Sequence, residues 1–374
     1  MSATSSVRAG WHDVSLGDIC AFTYGKSLPA SARSGSGHPV FGSNGIVGAH
    51  ESALTSGPTI VIGRKGSFGE VHFSEQPCSP IDTTYFVTED ETSCYLPWLA
   101  RRLRALGLNK LNRAAAVPGL NREDAYRQRL LLPTFEDQKR ISRILDTADV
   151  LIAQRRESIA QLDALVQSTF LEMFGDPVGN PKRWPKVKLG AICSVITGNT
   201  PSRERADYFG SHIEWIKSQN IGVQPLFLTT AVEWLSEAGK NVGRTAPAGS
   251  VLVTCIAGSK SSIGKVGVAD RDVAFNQQIN ALIPGGGVKT WYLFGLLLVG
   301  KRLVQAASTN SMKGMVSKSA LSSVEVPCPP LDVQLRFSDF VDAVRVQRDR
   351  LEAHLDDIDT LFASLQSRAF AGEL

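Results

Sequence analysis

The 374-residue sequence predicts an α+β protein: two mixed α/β units separated by two long helices that pair as an antiparallel coiled coil. The chain is an internal duplication, and the two copies should be related by approximate twofold symmetry. Three observations predict this: motifs that recur 173 to 196 residues apart, two apolar seams at heptad spacing, and a length too great for one core.

Apolar residues make up 43% of the chain and charged residues 20%, without a biased tract, which excludes disordered and fibrous classes. The longest strongly apolar run, Trp291 to Val299, is far shorter than the roughly 18 residues that span a bilayer. Met1 to Gly10 has no apolar signal core. No membrane association is expected. Six scattered cysteines form no CxxC and have no histidine at ligand spacing, so neither a disulfide framework nor a metal site is expected. A reduced, cytoplasmic location follows as the expectation. The formal charge is +4, but segments 135–174 and 331–370 together carry −5, leaving +9 elsewhere. A basic surface so distributed suits a polyanionic partner.

The repeat orders the elements. Val14-Ser-Leu-Gly-Asp-Ile-Cys20 recurs as Val187-Lys-Leu-Gly-Ala-Ile-Cys193, at an offset of 173. Ser67-Phe-Gly-Glu-Val71 recurs as Ser262-Ile-Gly-Lys-Val266, and Asp82-Thr83-Thr84 falls opposite Asn276-Gln277-Gln278. The offset has grown to about 195 by then, which puts insertions in the second copy before its glycine loop. From Leu120 onward it settles at 196, setting Gln138 on Gln334 and Phe174 on Phe370. The expected order is a first unit over 1–134, a helix over 135–174, a linker over 175–186, a second unit over 187–330 and a helix over 331–374. Within the units, Thr59 to Gly63 and Ser250 to Ile256 read as strands, and Leu96 to Leu106 and Trp291 to Ala307 as helices.

Thr134 is placed to cap the first long helix, with Asp137 three residues on, and Gly175-Asp-Pro177 stops it. Alternate steps of four and three place Leu145, Ala148, Ile152, Arg155, Ile159, Leu162, Val166, Thr169 and Met173 on one stripe. The stripe 196 residues later holds Val341, Val344, Arg348, Leu351, Leu355, Ile358, Phe362, Leu365 and Ala369. A single amphipathic helix would simply lie on its own domain. Two matched seams in one chain, each extending roughly 43 Å, point instead to each other, and antiparallel pairing is the simplest return path.

No catalytic signature stands out. Gly63-Arg-Lys-Gly-Ser-Phe-Gly-Glu-Val71 has Arg64 where a kinase loop needs its first glycine, and no HRD or DFG follows. Gly258-Ser-Lys-Ser-Ser-Ile-Gly264-Lys265-Val266 has one residue too many between its glycines for a phosphate-binding Walker loop, and Val266 replaces the hydroxyl. GxSxG, HExxH, paired carboxylates and the Asn/Asp-Pro-Pro-aromatic tetrapeptide of amino-methyltransferases are all missing. A duplicated chain of this kind reads as a binder, without catalytic residues, metal or cofactor of its own.

Polar and basic residues near glycine turns suit phosphates and base edges. In the first copy these are Lys26, Asn44, Arg64, Lys65, Ser67, Arg113 and Arg122. In the second they are Asn199, Thr200, Lys217, Ser218, Asn220, Lys260, Ser261, Asn276, Gln277, Asn310 and Lys313. Any one of them, taken alone, is more simply a solvated turn residue or a satisfied structural side chain. As a set on two equivalent units they are candidate DNA contacts.

These residues carry a resemblance. The chain resembles the DNA-specificity subunits of Type I restriction-modification systems, essentially end to end. The first copy is similar in Tyr24-Gly-Lys-Ser-Leu, Val40-Phe-Gly-Ser-Asn-Gly-Ile-Val-Gly48, Ile60 to Val71 and Ile81-Asp-Thr-Thr-Tyr85. The second is similar in Thr197-Gly-Asn-Thr-Pro-Ser202 and Ile213-Glu-Trp-Ile-Lys217, and the helices in Pro133-Thr-Phe-Glu-Asp-Gln138 and Pro329-Pro-Leu-Asp-Val-Gln334. It departs at Thr134-Phe135, where a second proline and a leucine are common, and at Phe337 and Phe340, where smaller aliphatics are usual.

The resemblance implies that each mixed unit is a target-recognition domain reading half of a split, asymmetric site on double-stranded DNA. The helices would form the spacer and dock two modification methyltransferase subunits. Those partners would bind S-adenosylmethionine and methylate adenine, and a restriction translocase subunit would join them. Two other classes fit the residues alone: a divergent nuclease, which metal-dependent nicking would reveal, and a structural coiled-coil adaptor, which would be indifferent to DNA sequence.

Overall fold

The computed structural model describes residues 10–111, 119–223, 226–309 and 314–373. Chain contacts divide it into two units, one of residues 1–154 with 355–374 and one of 155–354, so each long helix contributes to both.

In the first unit an antiparallel four-stranded sheet runs in the order Thr23–Tyr24, Thr84–Val87, Thr59–Gly63, Val71–Ser74. The central strand Thr59–Gly63 is buried on both faces, and its period of two divides the core. Ile60 and Ile62 join Trp98, Leu99 and Leu103 of the helix Leu96–Ala105, whereas Val61 packs with Phe41 and Cys78. A second sheet places His38–Gly42 between Gly45–His50 and the parallel Ser79–Pro80. His12–Ser15 pairs with Arg129–Leu132 beside the first long helix.

The second unit repeats this plan. Its main sheet is Cys193–Thr197, Ile279–Pro284, Val251–Thr254, Val266–Val268. A second sheet again contains a parallel pair, Phe209–Ile216 with Val273–Phe275, and Lys186–Lys188 pairs with Glu325–Pro327 as His12–Ser15 does with its partner. Val251 and Val253 face Tyr292, Phe294 and Leu296, while Leu252 faces Ile216 and Phe275. The predicted single helix from Trp291 to Ala307 is two, Thr290–Val299 and Lys301–Ala306, because Gly300 ends the first.

Backbone hydrogen bonds refine the alignment of the copies. The amides of Arg64 and Lys65 both donate to the Thr83 carbonyl, as those of Cys255 and Ile256 do to Gln278. Lys65 bridges Gly119 and Ile256 bridges Met315. Thr83 therefore corresponds to Gln278, one residue from the sequence pairing, and Arg64 to Cys255. With Ser67 set on Ser262, residues 257–261 fill the interval that Gly66 alone occupies in the first copy, so one insertion lies inside the glycine loop.

The long helices run Phe135–Phe174 and Leu331–Ala371. Thr134 Oγ1 accepts the Asp137 amide at 3.2 Å, the expected cap. At the far end Gly175 adopts φ +77°, and Lys182 Nζ and Trp184 Nε1 donate to the terminal carbonyls of Met173 and Phe174 at 3.0 and 3.1 Å. Segment 175–186 thus folds back as a cap. In the first unit Trp11 donates to Asp137 at 3.1 Å, and a Cβ on Gly372 would lie 3.4 Å from the same indole, so the start of one helix meets the end of the other. In the second unit Phe174 lies 5.5 Å from Phe337, while Arg348 pairs with Asp163 at 3.6 Å. Pairing within each unit is antiparallel.

Leu145, Ile152, Val166, Val341 and Leu351 are buried, and Ile159, Leu162, Leu355, Ile358 and Phe362 are half-buried. Burial departs from the predicted stripe at the end of the first helix. Phe170 and Phe174 are buried there while Thr169 and Met173 are half-buried, because the two phenylalanines join Tyr292 and Phe337 in an aromatic cluster. A Cβ on Gly295 would lie 2.5 Å from the Phe170 ring, so only glycine lets the helix Thr290–Val299 approach this closely.

Candidate nucleic-acid interface

In the first unit, loops from five places in the chain converge at one end of the main sheet. The Thr83 carbonyl gathers them, accepting from Ser43 Oγ at 2.6 Å and from the amides of Arg64 and Lys65 at 2.9 and 3.2 Å. The Leu120 amide donates to the Arg64 carbonyl at 2.9 Å, and the Lys26 amide to Pro80 at 3.1 Å. Lys26, Asn44, Lys65 and Ser67 are consequently exposed near one another on turns that the backbone holds fixed.

Between them stands a residue absent from the predicted set. Tyr24 is 50% exposed, with the guanidinium of Arg64 at 5.2 Å from its ring centroid and that of Arg122 at 5.6 Å. Arg64 is steadied by the Asp82 carbonyl at 2.5 Å, and Asn121 caps the short helix Arg122–Tyr126 that presents Arg122. Behind Tyr24 lies Tyr85, ring centroids 5.0 Å apart, whose hydroxyl donates to the Leu120 carbonyl at 3.3 Å. Burial and the neighbouring Tyr24 push the Tyr85 phenol up to about 12, so it remains a neutral donor. Among the described residues no ion pair engages Lys26, Arg64 or Lys65, and Glu123 approaches Arg122 only to 3.8 Å. The result is a cationic, aromatic surface available to an anion.

The second unit is arranged differently. Asn220 and Asn276 are buried and bonded to neighbouring backbone and side-chain groups. Asn220 accepts the Lys217 amide and donates to Thr229 and Thr230, and Asn276 accepts the Gln278 amide. Both side chains are engaged within the fold. Asn199 also serves the fold, bridging the Val242 carbonyl and the Arg244 amide at 2.9 and 2.7 Å. Thr200 bonds Gln277, Ser218 bonds Gln278, and Lys260 and Ser261 are exposed in the extended loop. Arg113, Asn310 and Lys313 lie outside the described residues.

A second cationic cluster forms on the other sheet of this unit. Arg203 lies 5.1 Å from the Trp215 ring and Lys217 4.9 Å from it. Both cations pair with Glu233, Arg203 at 2.7 Å. Lys217 first, then Arg203, holds the Glu233 carboxyl below its ordinary value. Glu214 and Arg271 form a bidentate pair at 2.6 and 2.8 Å deeper in the unit. Arg203, Trp215 and Glu233 were not predicted. Arg203 directly follows the Thr197 to Ser202 motif, and Trp215 lies inside the Ile213 to Lys217 motif.

Among the described residues no cluster of three or more His, Cys, Asp or Glu side chains could hold a metal, and no helix is long and apolar enough to cross a membrane. Fold and surfaces together define a duplicated α+β protein with a differently built cationic, aromatic surface on each copy. The chain belongs to the Type I restriction modification DNA specificity domain family, whose sequence profile matches it twice, over residues 8–163 and 181–357. It is 28% identical over 158 residues to the Type I restriction enzyme HindI specificity subunit of Haemophilus influenzae, covering 41% of this chain. That match spans a third of the relative's own length, 33%. The fold is similar to that of a type I restriction-modification S subunit from M. genitalium, with TM-score 0.60 and 13% identity over 99% of this chain and 98% of that one. It is also similar to a chain from a structure on complex assembly and conformational transition of the type I R-M system, with TM-score 0.63 and 19% identity over 98% and 99%.

Proposed function

We propose that this chain is the DNA-reading subunit of a Type I restriction-modification complex, each unit recognising one half of a split, asymmetric target on double-stranded DNA. The observation that carries the reading is that the main sheets of the two units keep one strand order and equivalent backbone hydrogen bonds while presenting different side chains. Two copies of a scaffold with unlike surfaces suit two unlike half-sites.

The contacts proposed for the first half are Lys26, Asn44, Arg64, Lys65, Ser67 and Arg122. For the second they are Thr200, Lys217, Lys260, Ser261 and Gln277. Turn amides and lysines suit phosphates, while arginine donates to guanine and amides pair with adenine. The long helices, acidic on balance, would dock two modification subunits. Those partners would hold S-adenosylmethionine and methylate adenine, with a restriction translocase joining them, and this chain would perform no chemistry and work in the cytoplasm.

The test is reconstitution. The purified chain should neither methylate nor cut DNA, and adenine methylation at a split sequence should appear only when the modification subunit is added. Methyl transfer or metal-dependent nicking by the chain alone would contradict the reading.

A further inference from the structure

The duplication supplies an internal control, because equivalent positions can be paired by hydrogen bonding and not by sequence. Tyr24 and Tyr85 face each other across neighbouring strands, as do Thr197 and Asn280 in the second copy. Tyr85 also pairs with Ile62, and Asn280 with Val253, each the partner of the equivalent valine, Val71 or Val266. The Arg64 carbonyl takes the Leu120 amide as the Cys255 carbonyl takes that of Val316. Arg122 opens a short helix capped by Asn121, as Lys318 opens one capped by Ser317. Tyr24, Arg64, Tyr85 and Arg122 therefore correspond to Thr197, Cys255, Asn280 and Lys318.

These four positions share one backbone, and three of them differ in chemistry; only Arg122 and Lys318 are both cations. In the second unit the site is closed: Thr197 Oγ1 donates to Asn280 at 2.6 Å, and Asn280 and Cys255 are buried. Nothing about the backbone therefore requires an aromatic ring or a guanidinium here. In the first unit two guanidiniums converge on one half-exposed ring, and among the described residues only Glu123, at 3.8 Å, balances either charge. Like charges brought together without acid partners lower stability unless an anion neutralises them.

We infer that Tyr24, held between Arg64 and Arg122, is a specificity-determining contact for the half-site read by the first unit, and that the second unit reads its half without using the equivalent position. The ligand is one nucleotide step of duplex DNA. The guanidiniums take its phosphate, and the tyrosine ring and hydroxyl take the adjoining base edge. The flanking cations hold the ring in place before DNA arrives, so little ordering remains to be done on binding. The second unit has its cationic, aromatic cluster elsewhere, with Arg203, Trp215 and Lys217 on its other sheet. This inference rests on the proposed function and adds to it which residue reads and where the two halves differ.

The experiment is sequence selection from a randomised duplex library by the full chain assembled with its modification subunit. Wild type is compared with Tyr24→Thr, which installs the second copy's residue, and Tyr24→Phe. Tyr24→Thr should lose about tenfold discrimination at one or two adjacent positions of one half-site, with the other half unchanged. Tyr24→Phe should keep most of the preference if the ring is read, and lose it if the hydroxyl is. A wild-type complex that selects a split target while Tyr24→Thr selects the same one with the same preference overturns this inference alone. Loss of preference in both halves also overturns it, since it marks a structural role. A wild-type complex that selects no sequence overturns the proposed function as well.

Discussion

Gln138 Oε1 accepts the backbone amide of Tyr95 at 2.8 Å. Its side-chain nitrogen returns to the Pro133 carbonyl at 3.0 Å, so one buried amide ties the start of the first long helix to the cap of the helix Leu96–Ala105. Gln334 repeats the arrangement, accepting from Lys289 at 2.9 Å and donating to Pro329 at 2.8 Å. Each long helix is thus tied by a buried glutamine to the cap of a helix in the unit beside it.

Gln138→Ala and Gln334→Ala should therefore each cost about 1–3 kcal/mol, since each strands a buried N–H and a carbonyl. Urea denaturation with hydrogen exchange at Tyr95 and Lys289 checks this. Each substitution should raise exchange at its own cap. Unchanged exchange at both would show that the caps do not depend on these amides.

The aromatic cluster at the end of the first helix should matter more. Phe170→Ala removes a fully buried ring packed on Phe174, Tyr292 and Phe337, and should destabilise by about 3–5 kcal/mol. Met173→Ala, at a half-buried position, should cost much less. Chemical denaturation of the two variants distinguishes the observed seam from the regular four-three stripe.

That contrast shows how much of the molecule was legible in the sequence. The strand Thr59–Gly63 and the two long helices follow from apolar periodicity, caps and stops, which are local signals. The switch from Met173 to Phe174 does not, because it depends on Tyr292 in a distant helix. The candidate site was legible only in outline. Asn220 has the side chain that could pair with adenine, yet it serves a turn, and sequence does not distinguish an amide that binds a base from one that binds its own backbone. Tyr24 lies inside Tyr24-Gly-Lys-Ser-Leu, but its surroundings are set by Arg64 and Arg122, which are 40 and 98 residues away in sequence.

Glu233 restrains the cations of the second unit. Glu233→Gln should free Lys217 and Arg203, strengthen DNA binding at low salt and steepen its salt dependence by about 1–2 in the logarithmic slope. The same pair has a pH signature. The folded carboxyl lies below its ordinary value of 4.5, so its stabilising contribution is complete above that value and is lost as pH falls through the folded pKa. The variant should lack that part of the acid dependence. Identical acid unfolding curves for the two proteins would show that the clamp contributes nothing to stability.

Burial pushes the thiols of Cys20 and Cys193 up to about 12 and that of Cys255 to about 11. At mildly alkaline pH all three should resist alkylation in the native protein and react on unfolding, with Cys328 modified first because it is the least buried of the six. Mass spectrometry after a timed iodoacetamide pulse reads the order directly. Rapid native labelling of Cys20 would contradict the first unit's core packing.

The division of labour between the two units is tested most directly by selecting duplexes from a randomised library with the assembled complex, for wild type and for the Arg64→Ala, Lys65→Ala double variant. Wild type should select a split, non-palindromic sequence. The double variant should lose preference in one half by about 1–3 kcal/mol per base contact removed, with the other half unchanged. A palindromic or unbroken wild-type site, or an equal loss of preference in both halves, would contradict the account.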